Sequence, residues 1–143
     1  ESVKAIEFTV YGDPVAQGRP RAVNIGGHIR MYDPKKSRNY KDYVRLAASE
    51  HAPDKLIEGP VALEVKIYRT IPKSFGKRKT VEAESGWVRP ITKPDADNYL
   101  KGIKDALKSV IWRDDSQIVD VRVSKFYSDR PRVEIKVMEL VPT

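Results

Sequence analysis

The stretch KPDADNYLKGIKDALKSVIWRDDSQIVD, from Lys93 to Asp120, carries two acidic pairs, Asp95 with Asp97 and Asp114 with Asp115. Carboxylates held close together repel one another and resist ionisation unless a cation lies between them. Hard oxygen donors of this kind are what Mg2+ selects. The chemistry suggested is therefore that of a metal site. If Pro94 keeps the chain before it extended and a helix begins near Asp97, then Asp95 and Asp97 can point to the same side; two residues apart inside a regular helix, they could not. Lys101 follows Asp97 by four residues, on the same helical face, and supplies the complementary positive charge.

A third carboxylate must come from elsewhere. Asp114 and Asp115 fall in the turn after the helix, and a helix of about 14 residues spans roughly 20 Å at its rise per residue. Either this second pair faces the first from a partner subunit, or the helix starts later than Asp97; Asp120 is a further candidate. Each feature also has a plainer reading. An Asp-x-Asp often caps a helix, adjacent aspartates often sit in a solvated turn, and Asp97 with Lys101 could be a surface ion pair worth about a few tenths of a kcal/mol.

Composition narrows the chemistry. The 143-residue chain carries 27 Lys+Arg against 20 Asp+Glu, a formal charge of +7 that favours a polyanionic partner such as DNA or RNA. Cysteine is absent and the histidines are His28 and His51 alone, which excludes disulfides, thiolate zinc sites, cysteine nucleophiles and histidine-rich metal centres. No apolar run reaches the roughly 20 residues a membrane-spanning helix needs, and the start ESVKAIEFTVYG lacks the layout of a signal peptide, so a cytoplasmic protein without membrane contact is expected. With 40% hydrophobic residues the chain can fill one core.

The positioning elements follow from periodicity. Ala5 to Val10 alternates as a strand, and Val15 to Tyr32 reads as a hairpin turning at Gly26-Gly27. Ser37 is placed as the N-cap of a helix to about Glu50. Val61, Leu63, Val65 and Ile67 mark a strand closed by Pro72. Residues 73–92 lack sustained periodicity and read as a long mobile basic loop, in which Phe75 either anchors the loop or wedges against a base. A helix from about Asp97 to Val110 has Leu100, Ile103 and Leu107 inside and Asp97, Lys101, Lys104 and Lys108 on a second face. Two last strands, around Val119 to Val123 and Val133 to Val137, are expected to pair as an antiparallel hairpin, with Trp112 packed under the acidic turn. The sum is a single α+β domain over residues 1–143: a mainly antiparallel or mixed sheet of about four strands plus a hairpin, with two main helices on one face.

The run Asp95-Ala96-Asp97-Asn98-Tyr99-Leu100-Lys101, followed by Asp105-Ala106-Leu107 and then Trp112-Arg113-Asp114-Asp115-Ser116-Gln117-Ile118-Val119-Asp120, resembles the RusA family of Holliday junction resolvases. The resemblance implies a homodimeric, Mg2+-dependent endonuclease, with Mn2+ as a substitute ion and no organic cofactor. Such an enzyme binds four-way DNA junctions and nicks two opposed strands symmetrically. It implies metal-binding catalytic acids at Asp95, Asp97 and Asp115, an essential lysine at Lys101 and an auxiliary acid at Asp114. The segment PVAQGRPR is similar to an arginine-bearing stretch of the family, which brings Arg19 and Arg21 to the DNA. Lys73, Lys77, Arg78, Lys79, Lys104 and Lys108 complete the expected DNA-binding set. A protein of this kind would work at the nucleoid, encoded by a bacterium or its prophage. The alternatives are a basic, non-catalytic DNA-binding accessory protein of recombination or replication and, more remotely, a nucleotide-sugar transferase, for which no glycine-rich nucleotide pocket is present.

Overall fold

A computed structural model describes residues 2–18, 21–32 and 35–141, in backbone alone for residues 2–4, 21–25 and 28–32. The elements run β1 (Ser2–Tyr11), β2 (Arg21–Ile25), β3 (His28–Tyr32), α1 (Lys35–Ser49), β4 (Val61–Thr70), α2 (Lys77–Glu84), α3 (Ala96–Leu107), a single 3-10 turn (Asp115–Gln117), β5 (Ile118–Ser128) and β6 (Arg132–Val141). β1, β6, β4 and β5 form one sheet in that order, and β2 with β3 forms a separate two-stranded ribbon. The ribbon turns at Gly26 and Gly27, whose φ angles of +58° and +82° are open to glycine at no steric cost.

Period-two alternation decides which face is buried. Val61, Leu63, Val65 and Ile67 of β4, Val133, Ile135 and Val137 of β6, and Phe8 and Val10 of β1 all turn inward against Val44 and Ala48 of α1 and Ile103, Ala106 and Leu107 of α3. The two helices are tied end to side: Arg45 donates to the carbonyls of Asp105 and Ala106 at the last turn of α3 (2.9 and 3.2 Å), orphan acceptors that a helix leaves open at its C-terminus. The chain crosses α3 at Gly102, where a Cβ would stand in ordinary van der Waals contact, 3.6 Å from the Gln17 amide nitrogen. That amide donates to the Asn98 carbonyl at 3.1 Å. No helix among the described residues is long and apolar enough to cross a membrane.

Three sequence expectations are corrected. β5 and β6 are not paired with each other: β4 lies between them, parallel to β5 and antiparallel to β6. The short 129–131 link steps across the end of β4, a span of about two strand spacings, near 10 Å. β5 is therefore an edge strand, and Val119 and Val121 remain 58% and 46% exposed instead of joining the core. Within residues 73–92 the helix α2 forms. It buries only Ala83, too little apolar surface to leave a periodic trace in the sequence. Ser37 lies inside the first turn of α1, not at its cap, and is buried.

Candidate active site

The N-terminus of α3 is built by local rules. A cis bond joins Lys93 to Pro94. Asp95 then takes the extended N-cap conformation (φ −70°, ψ 156°), and its main-chain carbonyl accepts the Asn98 and Tyr99 amides at 3.1 and 3.3 Å to open the helix. Its carboxylate makes no capping hydrogen bond. Asp97 stands in the first turn, where negative charge meets the positive end of the helix dipole. Both side chains are exposed, as is Lys101 one turn on. Among the described residues no ion pair joins Asp97 to Lys101, so the two charges are uncommitted to each other.

The segment entering this corner is fastened by two cations that belong to no sequence motif. Lys125 Nζ, on β5, donates to the carbonyls of Thr92 (2.9 Å) and Pro94 (3.0 Å). Arg69 Nη1, at the end of β4, donates to the same Thr92 carbonyl at 3.1 Å. Arg89 Nε closes the loop onto the Lys125 carbonyl at 2.9 Å. Burial, reinforced by the neighbouring Arg69 charge and opposed by Asp95, holds the Lys125 ammonium below the usual lysine range. A sequence signal for both residues exists: each continues the apolar alternation of its strand (Val61-Leu63-Val65-Ile67-Arg69 and Val119-Val121-Val123-Lys125) with a charge. Beside this corner lies an open cleft of about 580 Å³ lined by Asp13, Val15, Lys36, Arg69, Pro94 and Tyr99 among others.

The second acidic pair behaves differently. Trp112 is fully buried, and its indole Nε1 donates to Asp115 at 2.8 Å. Asp114 caps the 3-10 turn in a reciprocal box with Gln117, whose Oε1 accepts the Asp114 amide at 2.7 Å. Asp114 also accepts the Ser116 hydroxyl and faces Lys108 Nζ at 3.7 Å. The Ser116 hydroxyl first, and Lys108 after it, hold the Asp114 carboxyl below the usual range. Within one chain the two pairs are not brought together. The 12 residues of α3 separate them, about 18 Å at the α-helical rise, and among the described residues no group of three metal-ligating side chains forms. Asp120 is exposed on β5.

Of the expected DNA contacts, Lys104 and Lys108 lie at the far end of α3, and Lys77, Arg78 and Lys79 form the exposed first turn of α2 behind exposed Lys73. Phe75 is an anchor: it packs edge-on against Tyr127 (centroids 5.4 Å apart) with Lys79 Nζ 4.2 Å above its ring. Arg19 lies outside the described residues, as does the side chain of Arg21.

Asp95 and Asp97 fit a divalent ion as part of its shell. They offer only hard oxygen donors, are not used up in capping, and match the habit of Mg2+ of taking one or two carboxylates plus waters and substrate phosphate oxygens. Comparison with known proteins extends the match beyond this corner. A family model described as endodeoxyribonuclease RusA matches residues 11–138, which contain both acidic pairs and Lys101. The chain is 56% identical over 137 residues to YqaN of Bacillus subtilis strain 168, an uncharacterised protein, covering 94% of this chain and 96% of that one. It is 24% identical over 135 residues to the crossover junction endodeoxyribonuclease rusA of Lactococcus phage r1t, again 94% and 96% of the two chains. A four-stranded sheet with a carboxylate pair opening its long helix, inside a match spanning nearly all of the fold, makes this chain a member of the RusA endodeoxyribonuclease family, a nuclease.

Proposed function

We propose that the protein resolves four-way DNA junctions as a Mg2+-dependent homodimer, with paired symmetric nicks in two opposed strands and an active site shared between subunits. The observation that carries this reading is the N-terminus of α3, where Asp95, which makes no capping bond, and Asp97 are both exposed and Lys101, one turn after Asp97, forms no ion pair among the described residues. In phosphodiester hydrolysis a water attacks phosphorus in line with the leaving oxygen, and negative charge grows on the non-bridging oxygens. Asp95 and Asp97 would hold the ion; a bound divalent ion supplies an acidified water and neutralises part of that charge. Lys101 is suited to meet the scissile phosphate directly, and the α3 terminus adds partial positive charge. Lys104 and Lys108 continue the cationic face along the helix, where each phosphate contact would release counterions.

The third acid is assigned to Asp115 of the partner subunit. Its own chain carries Asp115 to the wrong end of α3, but β5 runs back from that end to Lys125, beside Asp95. A two-fold axis crossing β5 near Val121 reverses the strand in the second copy and brings its Asp115 toward the Asp95 end. The same stretch supports the contact, for Val119 and Val121 are the exposed apolar part of an edge strand, and C2 is the commonest symmetry of soluble oligomers. Coordinated cuts on opposed strands need two sites so related. The setting is bacterial or phage DNA recombination, with the protein at the nucleoid.

The test is a synthetic four-way junction incubated with Mg2+ or, in parallel, with Ca2+, using the parent and Asp97→Asn. The expected result is symmetric nicking by the parent with Mg2+ alone, and a loss on the order of a thousand-fold in the variant with junction affinity retained. Junction binding by the parent without nicking in either metal would reduce the protein to a passive binder.

A further inference from the structure

We infer that Lys125, assisted by Arg69, is a positioning residue that sets the direction of the Asp95 carboxylate by holding the backbone immediately before it. The inference rests on the metal-site reading of Asp95 and Asp97 given above. A lysine whose ammonium is drawn back among main-chain groups is costly, because it gives up water that the protein must replace. Lys125 finds no carboxylate within ion-pair distance among the described residues. Its two acceptors are main-chain carbonyls, those of Thr92 and Pro94, three residues and one residue before Asp95. Arg69 adds a second donor to Thr92 although it brings a like charge close to Lys125.

An arrangement that sets one cation beside another, to grip the carbonyls of Thr92 and Pro94, adds no side chain to the apolar core. What the grip does fix is the last residue before the N-cap. With Thr92 and Pro94 held to adjacent strands, the chain enters α3 in one direction, and the extended backbone of Asp95, its N-cap, follows from that hold. Groups that orient a metal-ligating carboxylate without touching the ion commonly change metal affinity or turnover by roughly 10 to 100-fold when removed. Lys125 and Arg69 are placed to do this through the backbone.

Charge and position make opposite predictions for one substitution. Removing the Lys125 ammonium takes away a cation that repels a metal ion, so electrostatics alone would tighten metal binding; loss of positioning would weaken it. The experiment is Mn2+ binding to the DNA-free protein, followed by electron paramagnetic resonance of the free ion, for the parent, Lys125→Met, Lys125→Arg, Arg69→Gln and Asp97→Asn. The expected result is Mn2+ affinity weakened roughly 10-fold or more in Lys125→Met, partly restored in Lys125→Arg, and weakened less in Arg69→Gln. Junction affinity in Ca2+ and circular dichroism should stay near parental. An Mn2+ affinity equal to the parent's or tighter in Lys125→Met overturns the inference. If Lys125→Met does not fold, Arg69→Gln decides in its place, with parental Mn2+ affinity overturning it. Asp97→Asn separates the two readings: if it too binds Mn2+ like the parent, the metal site itself is wrong, whereas its loss beside an unaffected Lys125→Met removes the positioning role alone.

Discussion

The acidic pairs before and after α3 look alike in one dimension and differ in what their side chains are bonded to. At the C-terminal end, Asp114 caps a turn, accepts a serine hydroxyl and faces a lysine, while Asp115 receives a buried indole N–H. At the N-terminal end the Asp95 side chain does no capping, Asp97 is left unpaired by Lys101, and the cations nearby grip the backbone instead. Carboxylates satisfied by their own turn mainly stabilise that turn. Carboxylates left exposed, in front of a fixed backbone, are available to a ligand. Asp115 is half-buried, and one of its oxygens accepts the indole N–H.

Substitutions can break this contrast. The largest expected effect is on Asp97→Asn, which should lose Mg2+-dependent nicking on the order of a thousand-fold, with a thermal midpoint lowered only by the weaker interaction with the α3 dipole, since among the described residues the side chain makes no ion pair. Val121→Asp should come next: a charge on the exposed apolar part of β5 is expected to shift sedimentation to monomer and abolish paired nicking, while the circular dichroism of the fold stays unchanged because the residue lies outside the core. Replacing Lys104 and Lys108 together by alanine should weaken junction binding and lower the slope of log affinity against log salt by about one for each phosphate that is no longer neutralised. Asp114→Asn should have the smallest effect, and on stability alone. Because the Asp114 pKa is depressed in the folded protein, its contribution is present above the unfolded value and disappears as pH falls through the folded one. The parent should therefore be slightly more stable than the variant at neutral pH, and thermal melts of the two should converge in acid.

How much of this was legible in the chain depended on whether the cause was local. Pro94, the alternation of β4 and the apolar stripe of α3 act over a few residues, so the strand, the helix and its start beside Asp97 could be read directly. The insertion of β4 between β5 and β6 could not, since neighbours along the chain need not be neighbours in a sheet, and a short link sufficed to cross. α2 was hidden because a helix that buries one alanine leaves no stripe. Lys125 and Arg69 were visible in principle, as charges interrupting an apolar alternation, yet carry no motif. The separation of Asp115 from Asp95 within one chain follows from the length of α3, and nothing local says what Asp115 meets instead.

A heterodimer carrying Asp97→Asn in one copy and Asp115→Asn in the other, purified through two different affinity tags, tests the shared site most directly. If each site joins Asp97 of one subunit to Asp115 of the other, both homodimers are inactive and the heterodimer retains one intact site, nicking a single strand of the junction. A heterodimer as inactive as the two homodimers, or an Asp115→Asn homodimer that resolves junctions at the parental rate, would contradict it.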